Sequence, residues 1–385
     1  MGKKIYSLIL IIGCLILPLL SFTGCNGKTN NEKSQSLSIN HKMQLDYATE
    51  FSVDFYDDGY AHVHIEDGCD YVLVPKGQEE KDLGYEDAIV IFYPCENIYL
   101  AATSAMDQFR ALNALNAVKT CSTTSSDYAM ESVRNMIDSG KIKYVGKYKA
   151  PDYEALLNLK TDIAIESTMI YHAPKIKEEL ERLGIPVLVE RSSYEKDPFG
   201  RVEWIKLYGL LSGHEEEALK CYEEQIKQVE SVINSQDELK EKKTVVFFYV
   251  TSNGYVNVRK PGDYISKMIE IAGGEYALKS LQIEEENALS TVNISWEDFY
   301  YYAKDADLLI YNGTIDGGLK TYHELLSENE MFNDFRAVNN KNVYCSTNNM
   351  FQESSRLGDI LVELRKVLIN DNSDLQFFIP LKDEM

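Results

Sequence analysis

Histidine, paired cysteine and positive charge are scarce in this 385-residue chain, which has six histidines, seven cysteines, and 39 lysines and arginines against 61 acids. The resulting net charge of −22 gives a surface that repels phosphate backbones, and no local basic patch offsets it, so nucleic-acid binding is excluded. Cys14, Cys25, Cys69, Cys95, Cys121, Cys221 and Cys345 are far apart and form no C-x-x-C, so neither a disulfide framework nor a thiolate metal site is expected. Bare divalent metals need three or four histidine and carboxylate ligands, which six scattered histidines do not supply. His62 and His64 share a strand face, but Ala61, Val63 and Ile65 claim the buried side, so both histidines are expected to point to solvent. Catalytic signatures are also missing. There is no G-x-S-x-G, phosphate loop, G-x-G-x-x-G or H-E-x-x-H, and "HELLSE" at His323 stops short of the second histidine. A non-enzymatic protein is expected, without a cofactor.

What is present begins at the N-terminus. Lys3 and Lys4 precede an apolar run from Ile5 to Phe22 that barely reaches the roughly 20 residues needed to span a bilayer and is broken by Pro18. That order reads as a secretory signal over residues 1–24. Thr23-Gly24-Cys25 resembles a bacterial lipobox, with Phe22 where leucine is usual. The resemblance implies acylation of Cys25 and anchorage of an exported chain to the outer face of the cytoplasmic membrane. Residues 25–44 are rich in Asn, Ser, Lys and Gly and read as a tether. Without residues 1–24, which hold two lysines and no acid, the charge is −24.

The remaining length exceeds what one core usually serves, so two lobes are expected. Residues 45–80 read as an N-terminal β-hairpin extension, because Phe51, Val53 and Phe55 alternate, Asp57-Asp58-Gly59 turns, and Ala61, Val63 and Ile65 alternate again. From 81 to 212 strands and helices alternate: "DAIVIFYP", "IKYVG", "DIAIES" and "IPVLVE" are strand-like, with helical segments between them. Residues 213–241 read as one long bridging helix, with Leu219, Tyr222, Ile226, Val229 and Ile233 at helical spacing. Alternation resumes over 242–370 with "TVVFFYV", "ADLLIYNG" and "NVYCST", and 371–385 reads as a tail. The predicted fold class is α/β, with two lobes of largely parallel sheet covered by helices.

Two such lobes behind a lipobox resemble the iron-chelate and vitamin B12 binding proteins of bacterial ABC importers. The resemblance covers roughly Ala88 to Leu368. Its clearest pieces are "APDYEALLNLKTDIAIE" in lobe one and "NISWEDFYYYAKDADLLIYNG" in lobe two, with Glu154 and Glu297 at the acidic positions. "DPFGRVEWIK", Asp197 to Lys206, resembles a stretch of family members from anaerobic bacteria. The family implies a monomer that holds ligand between its lobes and delivers it to a permease dimer with ATPase subunits. One carboxylate on each lobe would pair with an arginine on each permease subunit, the geometry that bidentate guanidinium recognition favours. As first-turn acids, both also suit their helix N-termini.

Cleft residues in such a protein come from strand-to-helix loops. The loops Pro94–Ser104, Ser167–Ala173, Arg191–Arg201, Thr251–Pro261 and Asn312–Gly318 carry Tyr99, Tyr171, His172, Arg191, Tyr194, Arg201, Tyr255, Arg259 and Lys260. This concentration of aromatic and cationic groups suits an anionic, flat ligand, with Arg259 and Tyr255 the foremost pair. An iron siderophore or haem fits, and a corrinoid fits through the aromatics alone. A metal-ion binder, a surface lipoprotein enzyme and an adhesin stand as further alternatives.

Overall fold

The computed structural model describes residues 38–235, 241–283 and 290–383. Cys25 lies outside them. The first sheet runs β1 (Ile39–Lys42), β2 (Phe51–Tyr56), β3 (Ala61–Ile65), β4 (Cys69–Pro75) and β5 (Ile89–Tyr93) in spatial order, antiparallel as far as β4 and parallel between β4 and β5. The expected hairpin is β2–β3, registered Phe51↔Ile65 and Val53↔Val63. Asp58 and Gly59 turn it at φ 60° and 83°, a region where aspartate is tolerated and glycine is free.

Three expectations change here, the first being that Ile39–Lys42, within the stretch read as a tether, pairs as β1 with β2. The apolar run Ile89–Tyr93 joins this sheet instead of opening that of lobe one. A short apolar run marks a strand without naming its neighbour. His62 is buried, not solvent-facing. The connection between β4 and β5 folds back over the outer face, building a small second core from Tyr56, Tyr60, Val72 and Val74. Tyr85 of that connection stacks on His62 at 3.4 Å, and one oxygen of Asp70 lies 2.7 Å from His62 Nε2 and 2.8 Å from His64 Nδ1. Burial lowers the His62 pKa, against the pull of Asp70.

Lobe one is a fully parallel sheet ordered β10 (Val187–Glu190), β9 (Ile163–Ser167), β6 (Ile98–Leu100), β7 (Val118–Cys121), β8 (Lys143–Tyr144). Helices Pro198–Glu203 and Ile205–Ser212 leave it, Gly213 closes the second at φ 72°, and helix Glu215–Asn234 crosses to lobe two. At Gly209 a Cβ would stand 2.5 Å from that of Ala218, so only glycine lets these helices approach so closely. The crossing helix buries Ala218, Tyr222, Val229 and Val232, a stripe turned slightly from the one read in sequence: Leu219 and Ile233 are exposed.

The "DPFGRVEWIK" stretch explains how the first sheet is held. Glu203 is fully buried and accepts the backbone N–H groups of Asp46, Tyr47 and Ala48 at 2.8–3.0 Å, while Lys206 pairs with it at 2.6 Å. Glu195 accepts those of Thr49 and Glu50 at 2.8 and 3.0 Å, with Trp204 Nε1 at 2.9 Å. Five successive backbone donors thus end on two buried carboxylates, which satisfies both parties.

Lobe two adds β11 (Thr244–Val250), β12 (Val256–Arg259), β13 (Glu275–Tyr276), β14 (Thr291–Ile294), β15 (Leu308–Tyr311), β16 (Val343–Ser346) and β17 (Phe378–Pro380), ordered β14-β12-β11-β15-β16-β17 with β13 beside β11. Its centre is parallel and its edges antiparallel. No helix among the described residues is long and apolar enough to cross a membrane.

Candidate ligand cleft and docking face

In open parallel sheets ligands gather outside the carboxyl ends of the strands. At that end of lobe one a 460 Å³ recess is edged by Thr103, Ser104, Thr123, Tyr144, Lys147 and Tyr148. Asp127 also edges a second cavity of 720 Å³, formed by 126–129 and Arg134 of lobe one with Thr314, Asn348, Asn349 and 351–353 of lobe two. Together, sharing Asp127, they make up the candidate cleft between the lobes. Its ionised side chains are Lys147 and Arg134 against Asp127 and Glu353, so its charge balances. The rest is hydroxyl, amide, aromatic and aliphatic, with Phe351, Tyr128, Tyr144 and Tyr148 supplying the rings and Ala101, Ala129 and Met169 the aliphatic surface.

The lobes meet along this cleft. Gln352 spans them, its amide N–H donating to Asp127 O at 2.8 Å and its oxygen accepting from Ala129 N at 2.7 Å. Asp107, fully buried in lobe one, accepts from the backbone N–H and hydroxyl of Ser355 at 2.8 and 2.6 Å and pairs with Arg110. Burial raises its pKa, with Arg110 opposing.

The residues picked out in sequence fall in several places. Tyr99 is fully buried in lobe one's sheet, where burial pushes its hydroxyl pKa well up. Tyr171, Arg191 and Tyr194 form a joint between the first sheet and lobe one: Arg191 lies 2.7 Å from Glu50 and 4.4 Å over the Tyr194 ring, and Tyr171 donates to Asp67 at 2.9 Å. His172 is exposed beside them. Arg201 donates to Ser192 O at 2.9 Å and stacks 4.0 Å from the Tyr264 ring. Tyr255 stands 49% exposed at the β11–β12 turn. Arg259 is buried on β12, 3.7 Å from Asp263 and 4.7 Å over the ring of Phe351, so it backs the cleft wall instead of forming it. Lys260 edges a separate recess of lobe two. Of the cations that pointed to an anionic ligand, Arg191, Arg201 and Arg259 are engaged within the protein, by Glu50, Ser192 and Asp263.

Three loops that do line the cleft are not among those picked out in sequence, those after β7, β8 and β16. The strand "NVYCST" was legible, and the strand-end rule alone marks the residues that follow it. The short strand Val118–Cys121 gave no comparable run.

Glu154 lies exposed in the first turn of helix Tyr153–Asn158, capped by Asp152 on Ala155 N at 3.0 Å. Glu297 lies exposed in the first turn of helix Trp296–Ala303, capped by Ser295 on Asp298 N at 3.0 Å. Among the described residues neither acid has an ion pair.

A two-lobed α/β chain whose sheets face each other across one cleft, joined by a crossing helix, is a solute-binding protein of the periplasmic type. Residues 103–349 match the periplasmic binding protein family, and the chain belongs to it. An uncharacterized lipoprotein of Methanocaldococcus jannaschii is 25% identical over 410 residues, covering 99% of this chain and 100% of that one. The fold is shared with the petrobactin-binding protein YclQ of Bacillus subtilis, at TM-score 0.58 and 14% identity over 79% of this chain and 95% of that one. It is shared too with a periplasmic heme-binding protein of Pseudomonas aeruginosa, at TM-score 0.56 and 18% identity over 73% and 95%.

Proposed function

We propose that this protein is a lipid-anchored receptor that takes up an iron chelate, a siderophore or haem, between its lobes and delivers it to an ABC importer. The observation that carries the reading is the cleft: two cavities of 460 and 720 Å³ meeting at Asp127, large enough for a chelate and lined by rings and hydrogen-bonding groups. The fold neighbours that bind petrobactin and heme support the same class. A specific feature favours a second reading, a corrinoid: the cleft's charges balance and its lining is rich in amides and hydroxyls, which suits a bulky, amide-bearing, nearly neutral ligand better than a polyanion.

Thermal unfolding of the protein against haem, several ferric siderophores and cobalamin separates the two. Ligand at a hundred times its Kd adds about 2.7 kcal/mol, a melting shift of a few degrees. A shift with none of them would sink both readings. With the ligand in hand, Phe351→Ala is expected to weaken binding about tenfold by removing a ring contact; unchanged affinity in calorimetry would remove Phe351 from the site.

Cys25 carries the anchor in this reading. Cys25→Ala is expected to move the protein from the membrane fraction to the soluble extracytoplasmic fraction, because acylation supplies about 0.8 kcal/mol per buried methylene. Retention of the variant in carbonate-washed membranes would show that another segment holds it.

A further inference from the structure

The two lobes repeat one local design around the helices that carry Glu154 and Glu297. Asp162 stands directly before β9, and its carboxylate accepts the backbone N–H groups of Glu96 and Asn97, just ahead of β6, at 2.8 and 3.1 Å. Asp307 stands directly before β15 and accepts that of Thr244, the first residue of β11, at 2.9 Å. The return bond repeats as well: Asp162 N donates to Asn97 O at 2.9 Å, and Asp307 N to Thr244 O at 3.0 Å. β9 lies parallel beside β6, and β15 parallel beside β11. The helix ahead of each aspartate is therefore set at the corresponding place in its lobe.

On each of these helices the acid falls in the first turn and a large apolar side chain follows one turn later on the same side, three residues on at Leu157 and four at Tyr301. Leu157 is 44% exposed and Tyr301 76%. Such exposure has a cost in water, and here it occurs twice, each time beside a carboxylate that has no ion pair among the described residues. Apolar groups around an ion pair exclude water and strengthen it.

We infer that Leu157 and Tyr301 are apolar anchors of the docking face, each seating beside its carboxylate in a socket that combines a cation with an apolar pocket. The occupant is a membrane permease built with two-fold symmetry, because a motif repeated in both lobes needs a partner that presents the same socket twice. The charge sign agrees: a chain of net charge −22 meets cationic sockets. The inference rests on the importer reading and adds to it the residues that close the interface.

The test places the photocrosslinker benzoylphenylalanine singly at 154, 157, 297 and 301 of the full-length lipoprotein in its own host, and identifies the captured peptides by mass spectrometry. All four positions are expected to capture extracytoplasmic segments of one polytopic permease subunit. Leu157→Ala with Tyr301→Ala is expected to weaken docking to permease-containing membranes about tenfold while ligand affinity, which also reports folding, stays unchanged. Capture of the permease from 154 and 297 but not from 157 and 301 would overturn the anchors and leave the docking acids standing. Capture of no permease from any of the four would overturn the importer reading, and the anchors with it.

Discussion

The double variant Glu154→Ala with Glu297→Ala is expected to lower transport by two orders of magnitude or more while the Kd for ligand holds. Both carboxylates are exposed in helix first turns, so they contribute little to the fold: a few tenths of a kcal/mol each against the helix dipole. In a docked complex each would accept a guanidinium, a charge-assisted bond of about 1.5–3 kcal/mol. Two together give about 3–6 kcal/mol, or roughly 10²–10⁴ in docking affinity. Neither acid lines the cleft, and each sits on the helix that leads into an aspartate at the start of a strand, Asp162 before β9 and Asp307 before β15. Uptake by cells carrying the double variant, with ligand titration of the purified protein alongside, checks both halves. Intact uptake would return the two glutamates to the role of helix-terminal acids. Each single variant is expected to retain part of the activity, since one lobe still engages.

The contrast between these acids and the cleft shows what the sequence made legible. Alternation of strand and helix, the break at Asp197-Pro198 and the crossing helix follow from local periodicity, and all are present. The first-turn positions of Glu154 and Glu297 follow from local sequence too, whereas their docking role is implied by the family resemblance. The cleft was harder because pairing is not local. Arg191 reads as a free cation until Glu50, from a strand edge 141 residues away, is brought against it. The five-stranded first sheet hid for the same reason: β5 looks like any buried strand, and only the fold-back over Tyr60 and His62 decides where it pairs. Glu195 and Glu203 could be read as ordinary helix acids, yet they collect the backbone of residues 46–50, and no spacing rule announces that.

Glu166 lies at the other extreme, a carboxyl in the middle of β9 with 0% exposure and neither oxygen bonded to another side chain or backbone group. Desolvation alone pushes its pKa from 4.5 up to about 8. The titratable groups facing it are the hydroxyls of Tyr99 and Tyr153, neutral through this range, so nothing stabilises the anion. The sign is opposite to that of a salt-bridged acid. Between pH 4.5 and 8 the folded chain holds a proton that the unfolded chain has lost, so stability from this group is complete below 4.5 and falls as pH rises through 8. Three and a half pH units at 1.36 kcal/mol each bound the loss at about 5 kcal/mol. Glu166→Gln mimics the protonated form and escapes it. Denaturant unfolding of the two proteins is expected to give similar stabilities at pH 5, with the variant ahead by several kcal/mol at pH 8.5. Parallel curves across that range would mean that Glu166 is already ionised and solvated at neutral pH. A widening gap would mean that the strand beside the cleft carries a protonated acid.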